Sequence, residues 1–135
     1  MVIYRPSDRI PVVIGDVRLL ISPLTGHQKT RILHLTKMKG GDEVPDSAAM
    51  TIETIKYCVK GIECEKATFA DGKPISFSFE ENGELDEDSV SALFQLFDHS
   101  MLVTIATNLL AKTADSFDIP GATVELDKVV SSKKN

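Results

Sequence analysis

Two runs of β-branched and other apolar residues stand near the start of the chain, separated by Gly15 and Asp16. A two-residue turn of this kind joins antiparallel strands, so the stretch RIPVVIGDVRLLIS predicts a β-hairpin. That loop length places three apolar pairs on one face of the hairpin. The pairs are Ile14 with Val17, Val12 with Leu19, and Ile10 with Ile21. Pro11 has no N–H to donate, which indicates an edge strand or a position whose N–H points away from the ladder.

The stretch ISPLTGHQKTR, residues 21–31, predicts the start of a helix. Thr25 and Gln28 have the spacing of a capping box, in which the Thr hydroxyl accepts from a helical N–H and the Gln side chain reaches back to the cap. We expect the helix to run to about Met38, with Ile32 and Leu35 also on its inner side. The stretch KGGD at 39–42 is predicted to end it.

The same stretch has the outline of a phosphate-binding loop, because a predicted strand leads to a Gly that is followed by a Lys-Thr pair. A P-loop needs a Gly, four spacers and then Gly-Lys-Ser/Thr, so that backbone N–H groups surround the phosphates. Here Gly26 is followed by His27, and Ile21 stands five positions earlier. The spacing therefore excludes a P-loop and favours a helix cap, which contributes on the order of 1 kcal/mol.

A second helix is predicted to begin near Asp46 or Ser47, after Pro45, and to stop at Gly61. Its apolar residues recur at helical intervals. They are Ala48, Ile52, Ile55 and Val59.

Residues 62–79 alternate in polarity, and Asp71 with Gly72 marks a turn between two runs. This pattern predicts a second hairpin, with Ile75, Phe77 and Phe79 pointing inward.

The acidic stretch EENGELDEDS leads into a third helix, with Asp86 at its cap and further acidic residues in its first turn, where they oppose the positive helix end. An apolar stripe continues to about Lys112, and the stretch DHS at 98–100 can break it into two helices. The stripe consists of Val90, Leu93, Phe94, Phe97, Met101, Leu102, Ile105, Ala106, Leu109 and Leu110.

Beyond residue 112 the periodicity disappears, which predicts a loosely ordered tail at 113–135 with one short strand at 123–126. Residues 1–112 are predicted to form a single α+β domain. Its two short antiparallel hairpins pack with three to four amphipathic helices in the order ββααββαα, the second helix being short. With 135 residues, 42% of them hydrophobic, the chain is long enough to bury one core.

The formal net charge is −5, with acidic and basic residues interspersed, so the electrostatic attraction that nucleic-acid binding requires is missing. No apolar run approaches the roughly 18 to 20 residues that cross a bilayer, and the N-terminus lacks the apolar core of a signal peptide. We therefore expect a cytoplasmic protein that binds neither nucleic acid nor a membrane.

The residues capable of metal or redox chemistry do not form a recognisable motif. Cys58 and Cys64 are expected to be reduced, small apolar residues. His27 and His34 are two helical turns apart, too distant to share a metal without a third element. His99 has no nucleophile in a recognisable context. The carboxylates of residues 80–88 do not match the spacing of an EF-hand loop.

The apolar segment at 101–110 covers more of a helix circumference than one small sheet needs, which leaves room for a partner or dimer surface. The chain also carries four short motifs in order: PLT at 23–25, CVKGIE at 58–63, ADGKP at 70–74 and GELDEDSV at 83–90. Over residues 10–112 their order resembles the tail assembly chaperones of tailed bacteriophages and prophages. The PLT entry is also similar to small baseplate hub assembly proteins, although the cysteine-bearing C-terminal segment common in those is missing here.

The resemblance implies a non-catalytic protein, without metal or cofactor, in the cytoplasm of an infected bacterium. Its partners would be the tape-measure protein, which it keeps soluble, and the tail tube protein that assembles around it. Self-association, and retention in the finished particle as a tail or baseplate component, remain open alternatives. Such a chaperone needs an apolar surface for helical client segments, and flexible Met side chains suit it. We expect the client-facing residues to be Phe94, Phe97, Met101, Leu102 and Ile105, with a contribution from the tail.

Overall fold

A computed structural model describes residues 2–131 of the chain. The order of elements is β1 (Asp8–Ile14), β2 (Val17–Ile21), α1 (Gly26–Leu33), β3 (Thr36–Lys39), β4 (Asp42–Pro45), α2 (Ser47–Cys58), β5 (Val59–Cys64), α3 (Glu87–Leu96), α4 (His99–Ala111), β6 (Ala122–Val124) and β7 (Val130–Ser131). All strand pairs are antiparallel, and the main sheet has the order β5-β2-β1-β6, with β7 also paired to β1. Strands β3 and β4 form a separate two-stranded sheet. The predicted α+β class is confirmed.

The first hairpin has the predicted register, with Ile10 opposite Ile21, Val12 opposite Leu19 and Ile14 opposite Val17. Its apolar face lies in the core. Strand β1 is not an edge strand, because β6 pairs with its other side. The carbonyl of Pro11 accepts from the N–H of Glu125 at 2.9 Å, just beyond the end of β6. The ring nitrogen of Pro11 therefore faces away from β2, which agrees with the second of the two predicted alternatives.

Helix α1 has the predicted start and a different end. The hydroxyl of Thr25 accepts from the N–H of Gln28 at 3.1 Å, and the Gln28 side chain accepts from the Thr25 N–H at 3.0 Å. The prediction that the helix continues to Met38 is wrong, since α1 ends at Leu33 and Met38 is 69% exposed in β3. Gly40 and Gly41 have φ of 60° and 86°, the signature of a type I′ turn, so this Gly pair closes a hairpin rather than a helix.

Helix α2 begins as predicted, because the carboxylate of Asp46 accepts from the N–H of Ala49 at 3.1 Å. Gly61, predicted to stop the helix, lies instead inside β5, which starts directly after the helix at Val59. A Cβ at Gly61 would lie 3.2 Å from Leu20 Cδ1, so the absent side chain allows close approach of β2. Residues 62–64 of this strand lie in the first run of the predicted second hairpin, but its start at Val59 and its pairing with β2 in the main sheet were not predicted.

The second predicted hairpin exists only in outline. The turn at Gly72 forms, with φ of 84°, but the pairing around it is a single bridge between Thr68 and Pro74. Ile75 is half-buried, whereas Phe79, predicted to point inward, is 43% exposed. The residues between β5 and α3 therefore form a turn-rich segment rather than the predicted two-stranded hairpin.

The apolar stripe breaks where the sequence allowed it to break. Asp86 caps α3 and Asp98 caps α4, each accepting from a backbone N–H at 2.9 Å. The two helices are bent by 115° relative to each other. Among residues 2–131, no single helix is long and apolar enough to cross a bilayer, and α3 and α4 reach that length and composition only as a bent pair.

The segment after α4 packs on the domain, which differs from the loose tail that the sequence predicted. Strand β6 confirms the predicted short strand and pairs with β1, and Ile119 is buried in the core. Among the described residues, the segments before and after residue 112 therefore share one sheet and one core, and the predicted boundary at residue 112 does not divide them. Residues 132–135, also assigned to the tail, lie outside the described residues.

Candidate partner-binding groove

The five residues predicted to face a client divide into two groups. Leu102 and Ile105 are fully buried and Phe97 is only 9% exposed, so all three belong to the core. These three side chains cannot contact a partner in this conformation, so the prediction that they face a client is wrong. Phe94 and Met101 keep half-buried side chains at the surface.

A groove between α2 and α3 brings Phe94 together with residues outside the predicted client-facing set. Its volume is about 550 Å³, within the roughly 300 to 1,000 Å³ common for binding pockets. Its lining residues are Ile52, Lys56, Glu80, Leu85, Glu87, Val90, Ser91 and Phe94. We call this the α2–α3 groove.

One face of α3 supplies half of the lining. Glu87, Val90, Ser91 and Phe94 follow the i, i+3, i+4, i+7 spacing, which places them along one side of a helix. Across the groove, Ile52 on α2 is 39% exposed, whereas Ile55 on the same helix is fully buried. The groove therefore has an apolar wall on each side.

The floor of the groove is held in place by backbone pairing. Leu85 is fully buried, and its N–H donates to the carbonyl of Lys56 at 3.0 Å. Leu85 also forms an isolated bridge with Phe79, which closes a short turn through Gly83 at φ of 84°. These contacts fix the acidic turn at residues 80–84 beside the groove.

Negative charge is concentrated at one end of the groove. Residues 80–88 carry six acidic side chains and no basic one. Glu80 and Glu87 stand on the groove itself. The carboxylates of Asp86, Glu87 and Asp88 also suit the positive N-terminal end of α3. An approaching partner therefore meets an apolar surface with an acidic end.

Lys56 is the basic residue of the groove, and it already has partners. Its Nζ lies 3.5 Å from Glu53 Oε1 and 3.5 Å from Glu84 Oε2. Burial lowers the pKa of Lys56, but the attraction of Glu53 and Glu84 outweighs this effect and raises the pKa above its ordinary value. The charge of Lys56 is thus compensated within the domain, and Glu80 and Glu87 remain available to a partner.

The Phe94 end of the groove adjoins the bend between the two closing helices. The ring of His99, the first residue of α4, lies 6.3 Å from the ring of Phe94, centroid to centroid, at an interplanar angle of 31°. This contact supports the position of the Phe94 ring, which forms the apolar end of the groove opposite the acidic turn.

The other candidate residues do not converge. His34 Nδ1 lies 2.7 Å from its own helix carbonyl at Thr30. Cys58 and Cys64 are unpaired, and Cys58 is fully buried. Within residues 2–131 there is no group of three or more His, Cys, Asp or Glu side chains placed to hold a metal ion.

Ile52 is a groove residue that the sequence analysis did not identify as accessible, because it belongs to the same apolar series as the buried Ile55. A signal was present in part: Ile52 and Lys56 stand one turn apart, so the apolar stripe of α2 gives way to charge on that side. Comparisons with protein-family models, with curated proteins and with solved structures found no match to this chain.

Proposed function

We propose that this chain is a non-catalytic assembly chaperone that binds amphipathic helical segments of a partner in the α2–α3 groove. In line with the resemblance of its sequence to tail assembly chaperones, we propose the tape-measure protein as the client and the cytoplasm of an infected bacterium as the place of action. The tail tube protein would then assemble on the client that this chain has kept soluble.

The observation that carries the proposal is the apolar groove with exposed Ile52 and half-buried Phe94 and Val90 on its walls. Side chains at i, i+3, i+4 and i+7 of a partner helix fit a groove of this kind between two helices. Apolar walls with acidic side chains at one end favour a client helix whose apolar face is flanked by Lys or Arg. The net charge of −5 would keep the complex dispersed.

Co-expression with the tape-measure protein of the same genome tests the proposal. We expect the wild-type chain to increase the soluble fraction of the client, and Ile52→Asp and Phe94→Gln to lose that effect. Truncation of a hot-spot side chain costs about 2 kcal/mol or more, which exceeds the roughly 1.4 kcal/mol that corresponds to tenfold in affinity.

The matched control is Leu33→Asp, because Leu33 is 56% exposed on α1 and does not line the groove. This variant should solubilise the client as well as wild type, and thermal unfolding should show that all three variants are folded. The proposal fails if Leu33→Asp and the groove variants behave alike, or if wild type leaves the client insoluble.

The charge of the client is tested with synthetic amphipathic peptides that share one apolar face. Peptides flanked by Lys should bind more tightly than peptides flanked by Glu, and added salt should reduce the difference. Protein analysis of purified particles distinguishes the alternative role, because a chaperone is absent from the finished particle and a tail or baseplate component is present.

A further inference from the structure

The hairpin formed by β3 and β4 has no sheet neighbour among the described residues. It is a two-stranded sheet of its own, and each of its strands therefore has one unpaired edge. Every residue of the two strands is exposed except the half-buried Val44. An isolated two-stranded hairpin is marginally stable in water, and unpaired edges are templates for another strand. We call this element the β3–β4 arm.

The two edges of the arm carry opposite charge. Strand β3 reads TKMK and contributes Lys37 and Lys39, whereas β4 reads DEVP and contributes Asp42 and Glu43. No ion pair involves Lys37, Lys39 or Asp42 in the part of the chain that the structure describes. The arm is therefore neutral as a whole but presents a basic edge on one side and an acidic edge on the other.

The charge pattern discriminates between the ways in which two arms can pair. Two β3 edges would bring Lys37 and Lys39 beside the same lysines of a second copy, and like charges opposite each other destabilise a sheet. Two β4 edges would bring Asp42 and Glu43 beside the same carboxylates of a second copy, which is equally unfavourable. The contact of a β3 edge with a β4 edge is the one that joins opposite charges.

We infer that the β3–β4 arm joins copies of this chain head to tail, with the β3 edge of one copy paired to the β4 edge of the next. Side-by-side arms in the same orientation place β3 antiparallel to the neighbouring β4, as within the arm itself. A register like the internal one, where Lys39 is opposite Asp42, would set each Lys39 between two Asp42 side chains. Because the two surfaces differ, such a contact repeats and forms chains or rings rather than a closed pair.

This inference does not depend on the α2–α3 groove, whose lining contains no residue of the arm. Light scattering after size-exclusion chromatography, over a range of protein concentrations, tests it directly. For the wild type at low salt, we expect an average mass that rises with concentration beyond that of two chains. Added salt should lower the average mass, because the pairing joins opposite charges.

Charge reversal identifies the edges. The variants Lys37→Glu/Lys39→Glu and Asp42→Lys/Glu43→Lys should each stay monomeric, because one makes both edges acidic and the other makes both edges basic. Their equimolar mixture should associate, and the variant with all four substitutions should regain the wild-type behaviour. The control Lys66→Glu/Lys73→Glu changes the net charge as much as the β3 reversal does, at two lysines that are more than three-quarters exposed, and should associate like wild type.

The inference is overturned if the wild type stays monomeric at all concentrations, or if either reversed variant associates as the wild type does. It is also overturned if the four-fold variant fails to recover, or if the Lys66/Lys73 control loses association to the same degree. Client solubilisation by the reversed variants is a separate readout, so a failure here leaves the proposed groove untouched.

Discussion

The side chains of Phe94 and Leu102 belong to one apolar stripe, yet only Phe94 reaches the surface. The stripe does not continue along one straight helix. The carboxylate of Asp98 accepts from the N–H of Met101 and caps α4, which is bent by 115° relative to α3. Leu102 and Ile105, which follow that bend, point into the core, whereas Phe94, which precedes it, lines the groove. At this scale the accessibility of a side chain depends on the cap between the two helices.

The two thiols illustrate the same dependence of chemistry on position. Cys58 lies where α2 passes into β5, and its burial raises its pKa from the ordinary 9.0 to about 12, although Lys60 and Lys29 act in the opposite direction. Because the thiolate is the reactive form, a rise of this size reduces the reactive fraction on the order of a thousandfold. Cys64 is only half-buried.

We therefore predict that a thiol reagent at pH 8 modifies Cys64 rapidly and Cys58 only after unfolding. Measured by absorbance of the released chromophore, the native protein should show one fast thiol and the denatured protein two. The Cys64→Ser variant serves as control and should have no fast phase. Rapid modification of both thiols in the native state would show that the α2–β5 junction is open.

At the scale of elements, one side chain ties α4 to the segment that follows it. Asn108 is buried, its Nδ2 donates to the carbonyl of Asp118 at 3.0 Å, and its Oδ1 accepts from the N–H of Asp118 at 2.7 Å. The same Nδ2 donates to the carbonyl of Thr104 at 2.8 Å. This arrangement positions Ile119 in the core and directs the chain toward β6.

We predict that Asn108→Ala lowers the free energy of unfolding by about 2 to 3 kcal/mol, because it leaves the backbone groups of Asp118 without their partner. Urea unfolding measures the loss, and hydrogen exchange should show faster exchange at residues 118–124 than in α2. Thr107→Ala is the matched control, since the exposed Thr107 hydroxyl donates to the carbonyl of Val103 in its own helix. Equal effects of the two substitutions would contradict the role assigned to Asn108.

At the scale of the whole molecule, the sheet is completed by the two ends of the chain. Strand β1 receives β2 on one side and β6 on the other, so the last third of the sequence covers an edge that the first hairpin leaves open. Arg18 on β2 reinforces this closure, with its Nε 3.1 Å from Glu125 Oε1 and its Nη1 3.1 Å from Glu63 Oε2. The predicted single domain thus extends through residue 131.

We predict that truncation after residue 112 lowers the free energy of unfolding by at least about 3 kcal/mol, because it removes buried Ile119 and exposes an edge of β1. Thermal unfolding and the amount of aggregate after expression measure the effect. Truncation after residue 131 is the control and should unfold like the full chain. A 1–112 fragment that stays soluble and unfolds like the full chain would restore the boundary that the sequence suggested.

Much of the local structure was predictable because its causes are local. The register of the first hairpin follows from a two-residue turn, and the starts of α1, α2 and α3 follow from the capping residues Thr25, Asp46 and Asp86. The Gly40-Gly41 pair predicts a helix end but forms the turn of the β3–β4 hairpin. A Gly pair is compatible with a helix end and with a hairpin turn, and the strands beside it lack a clear apolar alternation that would favour the hairpin.

The groove was predictable only in part. Phe94 was correctly placed on an apolar face, but the same spacing holds for the buried Leu102 and Ile105, and periodicity does not say which residues another element will cover. Ile52 shows the converse, since it has the spacing of a core residue and remains exposed where no element packs over it.

The sequence by itself determined the α+β class, the first hairpin, the helix starts and the break at Asp98, because each depends on residues within a few positions of one another. Only the tertiary structure decided that β5 and β6 complete the sheet, that Leu102 is buried and that Ile52 and Phe94 share a groove. Those outcomes depend on which distant segments meet. Whether a side chain is buried depends on the packing of segments distant in sequence, and not on the spacing of apolar residues within one segment.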